Sequence, residues 1–177
     1  MNASTKAVHS VPALDLDRYL GQWFEVGRLP LKWEDENASN VTATYTLQED
    51  GNIEVDNRCY DNLGNPSQSL GRAKPVEGEP GQLKVSFLPQ FLRWIPFTEG
   101  DYWVLKVAED YSVALVGTPD HENLWLLARE HELSQQVRDE YLAEALAQGF
   151  TLEAWITPRQ DGRVVSDIEL QEDVLKD

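Results

Sequence analysis

Only one cysteine, Cys59, occurs among the 177 residues, so neither an internal disulfide nor a Cys-rich metal site is available. The fold must stand on packing alone. Basic residues are scarce too: 15 Lys and Arg face 31 Asp and Glu, a formal net charge of −16. Such a surface repels phosphate backbones and anionic headgroups, which argues against nucleic-acid binding and polybasic membrane docking. Long apolar runs are missing, and none approaches the ~20 residues of a membrane-spanning helix. Residues 1–10 carry no apolar stretch of the kind a signal peptide needs, and they fit equally well the stub left after one is removed. There is no internal repeat, phosphate loop or Ser-His-Asp arrangement. His9, His121 and His131 lack ligand spacing, so neither metal nor cofactor is expected. The length suits one domain with one core.

What the chain does have is period two. Val41, Ala43, Tyr45 and Leu47 alternate with Thr42, Thr44 and Thr46, the mark of a half-buried strand. Similar segments rich in β-branched and aromatic residues cover 22–29, 40–48, 53–60, 67–74, 82–88, 102–107, 112–117 and 124–128. Turn-forming clusters separate them, among them Glu49-Asp50-Gly51-Asn52, 62–66, 78–81 and 118–123. Eight short antiparallel strands in hairpin order predict an all-β fold, a single up-and-down barrel, because closure removes the exposed edges.

Two helical stretches interrupt this pattern. Residues 15–20 read as one turn capped by Asp15 and ended by Gly21, a plug for one barrel end. Residues 134–148 carry Val137, Tyr141, Leu142, Ala145 and Leu146 on one stripe, with Ser134 as cap and Gly149 just past the end. This flanking helix should pack on the barrel's outside. Residues 1–13 are expected to be loose or draped over the barrel, 14–158 to form the domain, 152–157 to add a short late strand, and the acidic tail 159–177 to fray.

Three motifs in order, Gly21-Gln22-Trp23, Asp110-Tyr111 and Arg129 after Leu124-Trp125-Leu126-Leu127-Ala128, resemble those of the lipocalins. The likeness spans about residues 14–158 and is strongest to bacterial and apolipoprotein D-like members, through 21–26, 41–45, 83–87, 100–105, 111–115 and 124–129. The resemblance implies a calyx whose floor is sealed by Arg129 lying across Trp23. Alternation upward from that floor turns Leu127 and Trp125 inward, with Ala43 and Tyr45, Val55, Asn57 and Cys59, and Leu83, Val85 and Phe87. The faces of residues 102–107 stay undecided. Alternation by itself favours side chains that merely fill the barrel, and the resemblance reverses that preference.

The expected function is binding, storage or transport of a small lipophilic ligand, a fatty acid or lysophospholipid, without catalysis. The resemblance places the protein in the cell envelope, as periplasmic or outer-membrane protein, with a cytoplasmic carrier as the alternative. The expected ligand-binding set is Tyr45, Val55, Asn57, Cys59, Val85, Phe87, Trp125 and Leu127. Trp33, Phe91, Trp94 and Phe97 fall in segments that surround a lipocalin's mouth, as an entrance lid, a weak membrane contact or local packing. A homodimer is left open. The competing reading is a lipid-transforming enzyme with Cys59 as nucleophile. A reactive thiolate needs a neighbouring cation or base, and Arg58 should point to the opposite face.

Overall fold

The computed structural model describes residues 6–31, 36–87 and 99–176. A single turn, α1 (Leu16–Tyr19), leads into β1 (Gly21–Arg28). The meander continues through β2 (Ser39–Leu47), β3 (Ile53–Tyr60), β4 (Pro66–Val76), β5 (Glu79–Phe87), β6 (Gly100–Val107), β7 (Val113–Gly117) and β8 (Leu124–Ala128). Each strand pairs antiparallel with its sequence neighbour and β8 returns to β1, giving the closed eight-stranded barrel expected from the pattern. The β4–β5 hairpin is tighter than residues 78–81 suggest: Val76 pairs with Glu79 across a two-residue turn in which Gly78 has φ +80°.

Alternation sorts the side chains into two packed layers. Trp23, Ala43, Tyr45, Val55, Leu83, Val104, Val116 and Leu127 pack inside, whereas Val26, Leu105, Leu115, Leu126 and Ala128 pack outside beneath α2 (Gln135–Ala147). Ser134 caps α2 by accepting from the Val137 amide, and Gly149 follows it at φ +92°. Tyr141 and Ala145 are its buried residues; Leu146, read onto the same stripe, is 54% exposed because it lies a residue beyond the contact face. On β6 the undecided parity resolves with Tyr102 and Val104 inward and Trp103 and Leu105 outward. A register shift between Val104 and Lys106 then turns Val107 inward as well.

Both ends of the described chain are stitched to the barrel. Val11 donates its amide to the Val104 carbonyl, the His9 amide reaches Gln148, and Val8 is buried, so the described part of the opening lies against the rest of the domain. The tail is a correction. Residues after Pro158 do not fray: they run along β1, β2 and β3 and end in α3 (Asp167–Leu175), which opens with a Ser166/Glu169 capping box. Acidic composition suggested fraying, but Arg58 of β3 meets it by binding Asp167 at 2.6 Å and the Val165 carbonyl at 2.9 Å, while Tyr60 donates to Glu169. The late strand is reduced to one bridge between Ile156 and Arg28.

Candidate functional site

The three sequence motifs converge on one end of the barrel. Trp23 is wholly buried and donates its indole N–H to the Tyr19 carbonyl at 2.8 Å. Arg129 lays its guanidinium 3.7 Å from the centre of the Trp23 ring. The same guanidinium donates to the carbonyls of Gln22 (2.9 Å), Arg18 (2.8 Å) and Tyr111 (3.1 Å), tying β1, α1 and the β6–β7 turn together. Tyr111 takes the left-handed conformation, φ +59°, that the turn requires, and its hydroxyl accepts from the Asp15 amide. Asp110 accepts from the side chain and amide of Ser112, and those bonds hold its carboxyl below the usual range. Here the floor is sealed.

Above Trp23 stands a cluster of tyrosines. Tyr19 and Tyr45 stack at 5.7 Å, both edge-on to Tyr102, and the Tyr102 hydroxyl is 2.6 Å from that of Tyr19 and 2.8 Å from that of Tyr45. Burial pushes all three phenols well above their ordinary pKa, so they stay protonated into alkali where an exposed tyrosine would ionise.

The side chains expected to line the cup all face inward, at two depths. Tyr45, Val55 and Leu127 are buried in the lower layer with Trp23. Asn57, Cys59, Val85 and Trp125 keep accessible surface higher up, and Phe87 lies over Gly71 near the rim, 39% exposed. Cys59, the sole cysteine, is in no disulfide. Arg58 turns away from it, held outside by Asp56 and Asp167, as alternation requires. Trp33, Phe91, Trp94 and Phe97, expected at the mouth, lie outside the described residues.

The chamber is more polar than the sequence suggested. Glu25 pairs with Leu127 and shares its inward face; Arg28 pairs with inward Trp125 because a bulge between Glu25 and Gly27 shifts the alternation by one. The two side chains form an ion pair at 3.7 Å, with Arg28 fully buried. Glu25 could have been read from its spacing to Trp23. Arg28 could not, since strict alternation turns it outward. Tyr102 was missed because the parity of its strand was open. Gln160 adds a seam: its side-chain amide donates to the carbonyls of Glu25 and Val41, closing the gap where β1 and β2 part. Among the described residues, no three His, Cys, Asp or Glu side chains converge as metal ligands.

A closed up-and-down barrel with a sealed floor and an inward wall that is partly accessible defines the class of one-chamber small-molecule binders. Residues 14–160 match the model of the lipocalin-like domain, and the chain belongs to the lipocalin family, whose members bind small hydrophobic ligands. It is 36% identical over 160 residues to temperature-induced lipocalin-1 of Arabidopsis thaliana, covering 88% of this chain and 85% of that protein. Identity to the outer membrane lipoprotein Blc of Escherichia coli K12 is 37% over 160 residues, covering 89% and 85%. Apolipoprotein D of Mus musculus is 37% identical over a shorter stretch, 55% of this chain and 47% of that protein. Among solved structures, insecticyanin from the tobacco hornworm Manduca sexta superposes with a TM-score of 0.67 at 20% identity, covering 92% of this chain and 86% of that one. Lobster apocrustacyanin A1 gives 0.65 at 11%, covering 92% and 94%. These two bear on the fold alone.

Proposed function

We propose that the cup binds a fatty acid or lysophospholipid and stores or carries it without chemical change. The observation that carries this reading is the accessible inward wall of Asn57, Cys59, Val85, Phe87 and Trp125 above a sealed floor. Burying an acyl chain contributes about 0.8 kcal/mol per CH₂, so affinity comes from area once ordering costs are subtracted. Cys59 takes no nucleophilic role in this reading, since its sequence neighbour Arg58 is committed to carboxylates outside the barrel.

Displacement of a fluorescent fatty acid by lauric acid and by lysophosphatidylcholine tests it, together with mass spectrometry of an organic extract of the purified protein. Saturable displacement with the lipid recovered intact supports the reading. Absence of displacement, or lipid turnover lost in Cys59→Ser, refutes it.

The name of the Escherichia coli relative, an outer membrane lipoprotein, supports a place in the cell envelope, tested by fractionating native cells. Weak contact with neutral lipid surfaces through Trp33, Phe91, Trp94 and Phe97 belongs to the same proposal. Vesicle partition should fall when Trp94 and Phe97 are replaced by Ser.

A further inference from the structure

Three tyrosine hydroxyls meet inside the barrel with more protons than hydrogen bonds to use them. Tyr102 sits between Tyr19 and Tyr45, at 2.6 and 2.8 Å, so three O–H donors share two hydrogen bonds. One proton is left over however the hydroxyls turn. Among the described residues no further hydrogen bond leaves any of the three hydroxyls. Burial decides where that proton goes. Tyr19 and Tyr45 are 1% and 6% exposed, whereas Tyr102 is only partly buried. When Tyr102 accepts from both neighbours, its own O–H is the donor that faces the cup.

We propose that the chamber recognises a lipophilic ligand through an uncharged acceptor oxygen at its buried end, a ketone, aldehyde, ester or ether oxygen that takes the Tyr102 proton. This rests on the lipid-binding reading above and narrows it. A tail ending in methyl leaves the donor to water or to nothing, and a buried donor without a partner is costly. A carboxylate at that depth is disfavoured, because one O–H does not replace the water a buried charge gives up. The ligand's charged group, where it has one, therefore stays at the open end. Tyr19 packs on Trp23 with ring centres 5.1 Å apart and planes tilted by 37°, which places the cluster directly over the floor, where a ligand's leading end arrives.

The test compares lauric acid with its (ω−1)-oxo analogue, which differs by one carbonyl near the buried end, in the full chain and in Tyr102→Phe. The ratio of the two dissociation constants is expected to shift toward the parent acid by about three- to tenfold on substitution, the worth of one net hydrogen bond. In Tyr141→Phe, which removes a phenol packed outside the barrel beneath α2, the unsubstituted ratio should persist. A second readout needs no variant: the infrared stretch of a ¹³C-labelled oxo group in the complex should lie below its position in hexane. An unchanged ratio in Tyr102→Phe, or a carbonyl at the hexane position, overturns the proposal while lipid binding itself survives. Failure of both acids to bind removes the lipid-binding reading and this inference with it.

Discussion

Arg129 covers Trp23 from the closed end of the barrel, its guanidinium 3.7 Å from the ring centre and hydrogen-bonded to four backbone carbonyls, those of Arg18, Tyr19, Gln22 and Tyr111. One side chain thereby joins the first strand, the plug and the β6–β7 turn. Trp23→Ala should cost about 3–5 kcal/mol as a large-to-small core change. Arg129→Met should cost about 2–3 kcal/mol, with hydrogen bonds to a charged group lost together with the cation–π contact. Urea denaturation measures both, and Arg129→Lys should recover little, since an ammonium lacks the planar fork that reaches separate carbonyls.

The close approach of Gly27 to Trp155 makes a second prediction. A Cβ on Gly27 would stand 2.1 Å from Trp155 Cζ2, and the indole N–H beyond is buried with no hydrogen-bond partner among the described residues. Gly27→Ala should destabilise by about 1–3 kcal/mol, as overpacking does. Adding Trp155→Val should restore part of the loss, a coupling readable in a double-mutant cycle.

Alkali should open the barrel floor. Tyr19, Tyr45 and Tyr102 have pKa values raised chiefly by burial. A raised folded pKa stabilises fully below the unfolded value, about 10, and that stability is lost as pH rises beyond it. Their tyrosinate absorbance should appear only together with unfolding, unlike that of Tyr141, whose pKa is pushed up to about 12 mainly by burial. Three phenols titrating smoothly in a folded barrel would contradict the cluster.

Acid should release α3 before the barrel unfolds. The Glu169 carboxylate accepts from the Ser166 amide and from Tyr60, and these bonds hold its pKa low. A lowered folded pKa means stability present above the ordinary glutamate range and lost as pH falls through the folded value. Amide exchange in residues 167–175 should therefore rise in acid ahead of the strands, and Ser166→Ala should produce part of that rise at neutral pH, about 1 kcal/mol of capping.

Ligand binding should report through one tryptophan and not another. Trp125 is inward and partly accessible, while Trp155 packs outside against Gly27. In variants retaining one of the two, a titrated fatty acid should shift the emission of Trp125 and leave Trp155 unchanged. The reverse pattern would place the binding surface on the outside of the barrel.

The strands, their order and most inward positions were legible in the chain because alternation is local: each residue of a strand faces opposite to its neighbour whatever lies beyond. The turns at Gly51 and Asp110-Tyr111 were legible for the same reason, since short-range backbone demands select their residues. Features that depend on what stands opposite were not. Arg28 turns inward only because β1 bulges against β8, and the acidic tail is ordered only because Arg58 and Tyr60 meet its carboxylates across more than a hundred residues of chain. The tyrosine cluster draws one ring from the plug, one from β2 and one from β6. Periodicity fixes which way a side chain points, but closing the barrel decides which side chains meet, and the spare proton over the floor exists only in that closed arrangement.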